Sequence, residues 1–246
     1  MNTPRFPNPF KKQPFDLVTE MVRSPYDALQ RLRKLRKDNG DAFYTTYIEQ
    51  LLDIWLRESR YAMFVFDFDG TLTKRHALVA ADDSSDPDEL FVDWRFFKLF
   101  VATACKYDKA VGIASKNTIS VILSYLKLIG LDDYFKNGRI VTTDEVVARS
   151  DDTDRFAHVK DYMIKLLCVF TAPVVQKGAN EAPRRIMLYE DDMTAVIQSK
   201  LADGLWTPEG FTYEVWLGQA FSLFEKCPVF EKMTGREEKV PCVMRH

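Results

Sequence analysis

Residues 61–71 read YAMFVFDFDGT. The first six are apolar without alternation, and a short run of that kind describes a strand buried on both faces, as in a parallel sheet. The run ends abruptly in Asp67, Asp69 and Gly70. Side chains two apart on an extended chain share a side, so Asp67 and Asp69 face the same way. Two carboxylates so close repel each other unless a cation or a shared proton lies between them. A hard ion that takes oxygen ligands, such as Mg2+, meets that need, and Gly70 lets the backbone turn sharply beside it. The competing reading is a plain turn, in which Asp and Gly are common. What separates the two is the company this loop keeps at the ends of the other strands.

Four further apolar runs read as strands: Ala110–Ala114 (AVGIA), Arg139–Thr142 (RIVT), Arg185–Tyr189 (RIMLY) and Phe211–Leu217 (FTYEVWL). Helical spacing fills about 90–107, 117–129, 154–169 and 193–202. Strands alternating with helices predict an open, mostly parallel α/β sheet, whose ligands bind at the carboxyl ends of the strands. The second strand ends at Ser115, a hydroxyl able to donate to a phosphoryl oxygen; Ser115 or Asn117 is equally suited to cap the next helix. The fourth ends in Glu190, Asp191 and Asp192, three acids that are costly to gather without a cation. One of them is expected to bind metal and another to cap the following helix. A lysine to balance phosphate charge has candidates in Lys160, Lys165, Lys177 and Lys200. Lys160 is preferred, beside the apolar stripe Val159, Met163 and Leu167, and Lys165 comes next.

Ahead of the first strand, residues 1–15 carry four prolines among polar residues and predict an extended arm. Ser24-Pro25 starts a helix that stops at Asn39-Gly40. A second helix is expected from about Asp41 to Arg60, with Tyr44, Tyr47, Ile48, Leu51, Ile54 and Trp55 on its apolar face. Lys and Arg outnumber Asp and Glu over residues 1–60, and the reverse holds beyond. The basic side chains of residues 31–37 either bind a phosphate backbone or solvate an amphipathic helix. The organisation read here is therefore an N-terminal arm and helical extension, 1–60, followed by an α/β domain with an aromatic-rich C-terminal segment, 61–246.

A chain of 246 residues with 46% hydrophobic side chains can bury a core without staples. Its net charge of −2 excludes a globally basic nucleic-acid binder. Cys105, Cys168, Cys227 and Cys242 form no CxxC pair, which argues against a zinc ribbon or disulfide scaffold and for a reducing compartment. With only His76, His158 and His246, a multi-histidine metal site is not expected. No signal peptide or membrane span is read, so the expected location is intracellular, cytoplasmic or nuclear.

Taken together, residues 61–203 resemble the haloacid dehalogenase-like (HAD) phosphatase superfamily. FVFDFDGTLT, residues 64–73, is similar to the family's DxDGT loop. IASKN carries the hydroxyl of the second motif, Lys160 stands for the third, and LYEDD resembles the two-adjacent-acids form of the fourth. The resemblance implies a Rossmann-like three-layer sandwich and a Mg2+-dependent phosphomonoester hydrolase. It implies that Asp67 attacks phosphorus and that Asp69 protonates the leaving oxygen and then activates water. Mg2+ would be held by Asp67, the Asp69 carbonyl and Asp191, with Glu190 or Asp192 orienting metal-bound waters behind them. Ser115 and Lys160 would hold the phosphoryl oxygens.

Both places where the family inserts caps are short here. Residues 72–89 fit a small hairpin flap with an acidic loop at Asp82–Asp88, and residues 141–155 leave no room for a domain. By the resemblance, a nearly capless site implies a macromolecular substrate, a phosphoprotein or a nucleic-acid end, or a partner that serves as the cap. The alternative is a HAD-like scaffold that mainly binds protein or nucleic acid. Trp206, Phe211, Tyr213, Trp216, Phe221, Phe224 and Phe230 would then contribute a partner surface instead of covering the sheet edge.

Overall fold

A computed structural model describes residues 25–149, 159–171, 185–206 and 216. The chain divides into two compact units, one of residues 44–215 and one of residues 1–43 with 216–246. In the smaller unit the described structure is helix α1, Pro25–Asn39, the residues 40–43 that follow it, and the single residue Trp216. The helix stops where the sequence predicts: the Gly40 amide donates to the Arg36 carbonyl, and Asn39 Nδ2 donates to the Leu35 carbonyl. The proline-rich arm lies outside the described residues.

The larger unit is built on five parallel strands. They are β1 (Tyr61–Phe66), β2 (Ala110–Ser115), β3 (Ile140–Thr142), β4 (Arg185–Glu190) and β5 (Asp203–Trp206), in the order β3-β2-β1-β4-β5. Helices alternate with them: α2 (Glu49–Glu58), α3 (Pro87–Leu90), α4 (Trp94–Lys106), α5 (Ile119–Leu128), α6 (Asp132–Phe135), α7 (Thr143–Arg149), α8 (Val159–Phe170) and α9 (Met193–Gln198). This is a Rossmann-like α/β sheet. Strand order reverses between β1 and β4, and a crevice at that switch point is where open sheets of this kind bind ligands.

β1 shows why the sheet forms. It is buried on both faces, and its alternate residues meet different partners. Met63 and Val65 join Ala114, Val141 and Leu188 under Met163, Ile164 and Leu167 of α8, an aliphatic layer. Phe64 and Phe66 point the other way, into rings from α2 and α4. Phe64 meets Phe100 edge-on at 5.1 Å and Trp55 at 5.7 Å, and Phe66 meets Phe97 at 5.3 Å. Ring pairs of this geometry add roughly 0.5–1.5 kcal/mol each beyond their buried area.

The second expected helix begins with a π-helical turn at Tyr44–Ile48 before α2. Its apolar stripe, Leu51, Leu52, Trp55 and Leu56, is buried. Asp53 accepts from Lys106 and from Tyr107 Oη (2.6 Å), which ties α2 to the end of α4.

Three expectations change. Among the described residues the fifth strand is Asp203–Trp206, which the sequence did not suggest; of the expected strand Phe211–Leu217 only Trp216 is described, and it is helical. The helix expected over 193–202 ends at Gln198, and a short turn delivers the chain to β5 at once. Asp161 holds this turn: its carboxylate accepts from Ser199 Oγ and from the Lys200 amide. The flap is also not a hairpin of strands. Thr73 and Phe91 make one antiparallel bridge that closes the loop. Beyond it the Asp82 carboxylate accepts from the Ser84 amide, and Asp86 caps α3, which starts at Pro87. Such side-chain turns and a proline start a helical turn, not a ladder.

Candidate active site

β1 and β4 run in register with Phe66 opposite Tyr189, their rings stacked at 4.8 Å. The Asp67 amide continues the ladder by donating to the Tyr189 carbonyl at 2.8 Å. The residues at the strand ends therefore emerge side by side: Asp67 just after β1, Glu190 as the last residue of β4 and Asp191 just after it. Asp67 is 7% exposed and Glu190 2%.

Lys160 is brought to them by α8. Met163, Ile164 and Leu167 bury that helix against the sheet, and Lys160 precedes them by three, four and seven positions on the same face. Its side chain reaches along the aliphatic layer to the strand ends and is 5% exposed. Nζ lies 2.5 Å from Asp67 Oδ1 and 2.8 Å from Glu190 Oε2, and it also donates to the Ala114 carbonyl. Two ammonium protons have acceptors in Asp67 and Ala114, and Glu190 adds a second negative charge at ion-pair distance, the conditions for keeping a buried lysine charged. Burial pulls its pKa down, but the charges of Asp67 and Glu190 hold it above the ordinary value.

The carboxylates feel the opposite balance. Burial pushes Asp67 up to about 6, against the pull of Lys160 and with a further push from Glu190. Glu190 is raised by burial, partly countered by Lys160. Asp191 is raised by burial and then by the charge of Asp67. One oxygen each of Asp67, Glu190 and Asp191 lie within 4.8 Å of one another. One lysine faces three acids, so the group carries an excess of negative charge whenever its carboxylates are ionised. A hard cation with oxygen ligands fits such a donor set, and this chemistry does not single out Mg2+.

Gly70 lets Asp191 approach. Its φ is +78°, and a Cβ there would strike the Asp191 carboxylate. Thr71 Oγ1 donates to the same carboxylate at 3.4 Å.

The other expected residues sit apart from this cluster in different ways. The Asp69 carboxylate is turned to the loop, with Oδ1 accepting from the Ala77 amide at 2.7 Å and Oδ2 from Asn117 Nδ2 at 2.9 Å. Ser115 is buried at the end of β2, its Oγ accepting from the Asn117 amide at 3.2 Å. Asp192 caps α9 by accepting from the Thr194 amide at 2.9 Å, while Glu190 joins the buried cluster. Neither Ser115 nor Asn117 occupies the cap position of α5, which is Thr118. Lys165 lies outside the cluster, with Nζ 4.9 Å from the Tyr162 ring, and Lys200 is exposed. Lys177 is outside the described residues.

No family model, no curated protein and no solved structure matches the chain. What can be said of its chemistry rests on the site itself.

Proposed function

We propose that the protein is a HAD-like, metal-dependent phosphatase that hydrolyses a phosphomonoester through an aspartyl-phosphate. The observation that carries this reading is the Lys160-bridged pair Asp67–Glu190 at the switch point of the sheet, with Asp191 against it. A nucleophile must be desolvated yet anionic, and an ammonium within ion-pair distance keeps it so. One Asp67 oxygen is engaged by Lys160, which leaves the other to attack phosphorus in line with the leaving oxygen.

As the Oδ–P bond forms and the P–O ester bond breaks, the leaving oxygen takes a proton from Asp69. The same carboxylate then removes a proton from the water that hydrolyses the aspartyl-phosphate, releasing inorganic phosphate and restoring Asp67. In this reading Ser115 and Lys160 would donate to the phosphoryl oxygens. Mg2+, held by Asp67, the Asp69 carbonyl and Asp191 with Glu190 beside them, would supply neutralisation of phosphate charge.

The loop bordering Asp69 is short, and its Leu78 and Val79 are 88% and 72% exposed. A site with so little cover suits a phosphate carried on a macromolecule, a phosphoprotein or a nucleic-acid end. The deciding experiment measures phosphate release from phosphopeptides, 3′- and 5′-phosphorylated oligonucleotides and small esters, with Mg2+ and with chelator. Metal-dependent release that disappears in Asp67→Asn is the expected result. No release from any substrate would favour the binding-scaffold reading.

A further inference from the structure

Asn117 stands between β2 and α5, where a polar residue ordinarily caps the helix, yet its side chain does something else. Its Oδ1 accepts from the Thr118 amide at 2.7 Å, which fixes the orientation of the amide group. Both Nδ2 protons are then directed away from the helix. One goes to Asp69 Oδ2 at 2.9 Å and the other to the Ala77 carbonyl at 2.8 Å. Ala77 in turn donates its own amide to Asp69 Oδ1 at 2.7 Å. The three residues close a ring of hydrogen bonds in which each carboxylate oxygen of Asp69 has its own donor. The main-chain amide of Asn117 reaches Ser115 Oγ as well. A capping role would be met by Ser or Asp. Only a side-chain amide combines the acceptor that Thr118 uses with the two donors that Asp69 and Ala77 use.

We propose that Asn117 is a positioning residue for Asp69, setting the plane of the carboxyl group and the seat of the loop from residue 74 to residue 90 in one act. This deepens the phosphatase reading and rests on it. The loop has a second set of anchors on α5 that do not touch Asp69: the Ala81 amide donates to Ser124 Oγ at 2.9 Å, and Lys127 pairs with Asp83 at 2.7 Å. The two sets of anchors separate loop position from acid orientation. Loss of the Ser124 anchor loosens the far part of the loop alone. Loss of Asn117 frees the near part and one oxygen of Asp69 together.

Proton delivery makes the role measurable. An alkoxide leaving group needs the proton from Asp69 as the P–O bond breaks, whereas a nitrophenolate leaves without one. The test compares kcat/KM for an alkyl phosphate, such as a phosphoserine peptide, with that for p-nitrophenyl phosphate. Asn117→Ala is expected to lower the alkyl value about tenfold or more beyond its effect on the aryl value. Asn117→Asp keeps an acceptor for Thr118 but cannot donate to Asp69, and is expected to behave as Asn117→Ala does. Ser124→Ala should change both substrates alike. Amide hydrogen exchange gives a readout free of turnover: Asn117→Ala should speed exchange in the peptide that contains Ala77. Equal losses on the two substrates, or unchanged exchange at Ala77, overturn the proposal. If the wild-type protein hydrolyses neither ester, the phosphatase reading falls with its catalytic consequence, and exchange at Ala77 alone decides whether Asn117 holds the loop.

Discussion

Asp67 and Asp69 leave the same strand two residues apart and enter opposite surroundings. Asp67 turns into the crevice between β1 and β4, where it is buried and paired with a charged lysine. Asp69 turns toward the loop and is held by two neutral N–H donors, Ala77 N and Asn117 Nδ2, in a half-buried setting. Under the proposed phosphatase reading, a nucleophile and a proton carrier need that difference. The first must stay anionic and fixed in a dry site, and the second must exchange a proton with a leaving group and with water. One strand end presents two differently placed acids because Phe68 between them is buried edge-on against Tyr125 at 5.5 Å, anchoring the loop so that they diverge.

The sharpest way to break the comparison is to neutralise the buried member. Asp67→Asn should reduce phosphate release by on the order of 10⁴-fold or more, as loss of a nucleophile does. The fold should survive, because Lys160 keeps Glu190 as a partner and the cluster loses one of its excess negative charges. Its pH dependence has a definite sign. Between pH 3.8 and about 6, the folded wild-type protein holds a proton on Asp67 that the unfolded chain has released. The stability contributed by this residue in the metal-free protein is therefore present at low pH and lost as pH rises through about 6. Urea unfolding in chelator should show that decline, and Asp67→Asn should flatten it.

Lys160→Met tests the pairing from the other side. It leaves three carboxylates without their cation, and one-sided loss of a buried pair costs about 3–5 kcal/mol. Lowering the pH should recover part of this, since protonated acids no longer repel. Unchanged stability near pH 7 would mean that Lys160 is not the charge that holds the cluster.

Much of this was legible in the residues alone, for identifiable reasons. β1, β2 and β4 are short apolar runs that end in polar residues, and a strand buried on both faces has no other way to look. The place of Lys160 at the strand ends was readable only in part: its helix is amphipathic and its stripe unbroken, but spacing alone left Lys165, Lys177 and Lys200 beside it as candidates. β5 was not readable: Asp203, Gly204, Leu205 and Trp206 have neither length nor alternation, and they form a strand because β4 offers a free edge one short turn after α9. Asn117 was read as one of two possible caps. Its partners Asp69 and Ala77 are 48 and 40 positions away, and no local pattern reports a contact made by tertiary folding.

Metal dependence discriminates within the cluster. With metal at about a hundred times its dissociation constant, the folded state should gain roughly 2.7 kcal/mol, seen as a higher melting temperature. Asp191→Ala should remove most of that gain. Gly70→Ala should remove it too, at an intrinsic cost of about 1–2 kcal/mol for a side chain at positive φ, because the new Cβ displaces the Asp191 carboxylate. A full metal-induced shift in both variants would move the ion away from Asp191.

The smallest effect separates three neighbours that the sequence presents as one acidic run. Asp192 follows Glu190 and Asp191 directly, but its side chain bonds the Thr194 amide at the start of a six-residue helix. Its other charged neighbour, Lys116, is 3.9 Å away with both side chains largely exposed, a pairing worth little in water. Asp192→Ala should therefore cost about 0.5–1 kcal/mol, the value of a lost cap, and Asp192→Ser should restore most of it. Neither change should alter the metal-induced melting shift or the rate of phosphate release, because the cluster contact from this residue is made by its backbone amide, which donates to Glu190 Oε1 at 3.2 Å and survives both substitutions. A large loss of turnover in Asp192→Ser would place this acid beside Asp67 after all and erase the distinction between the buried cluster and its surroundings.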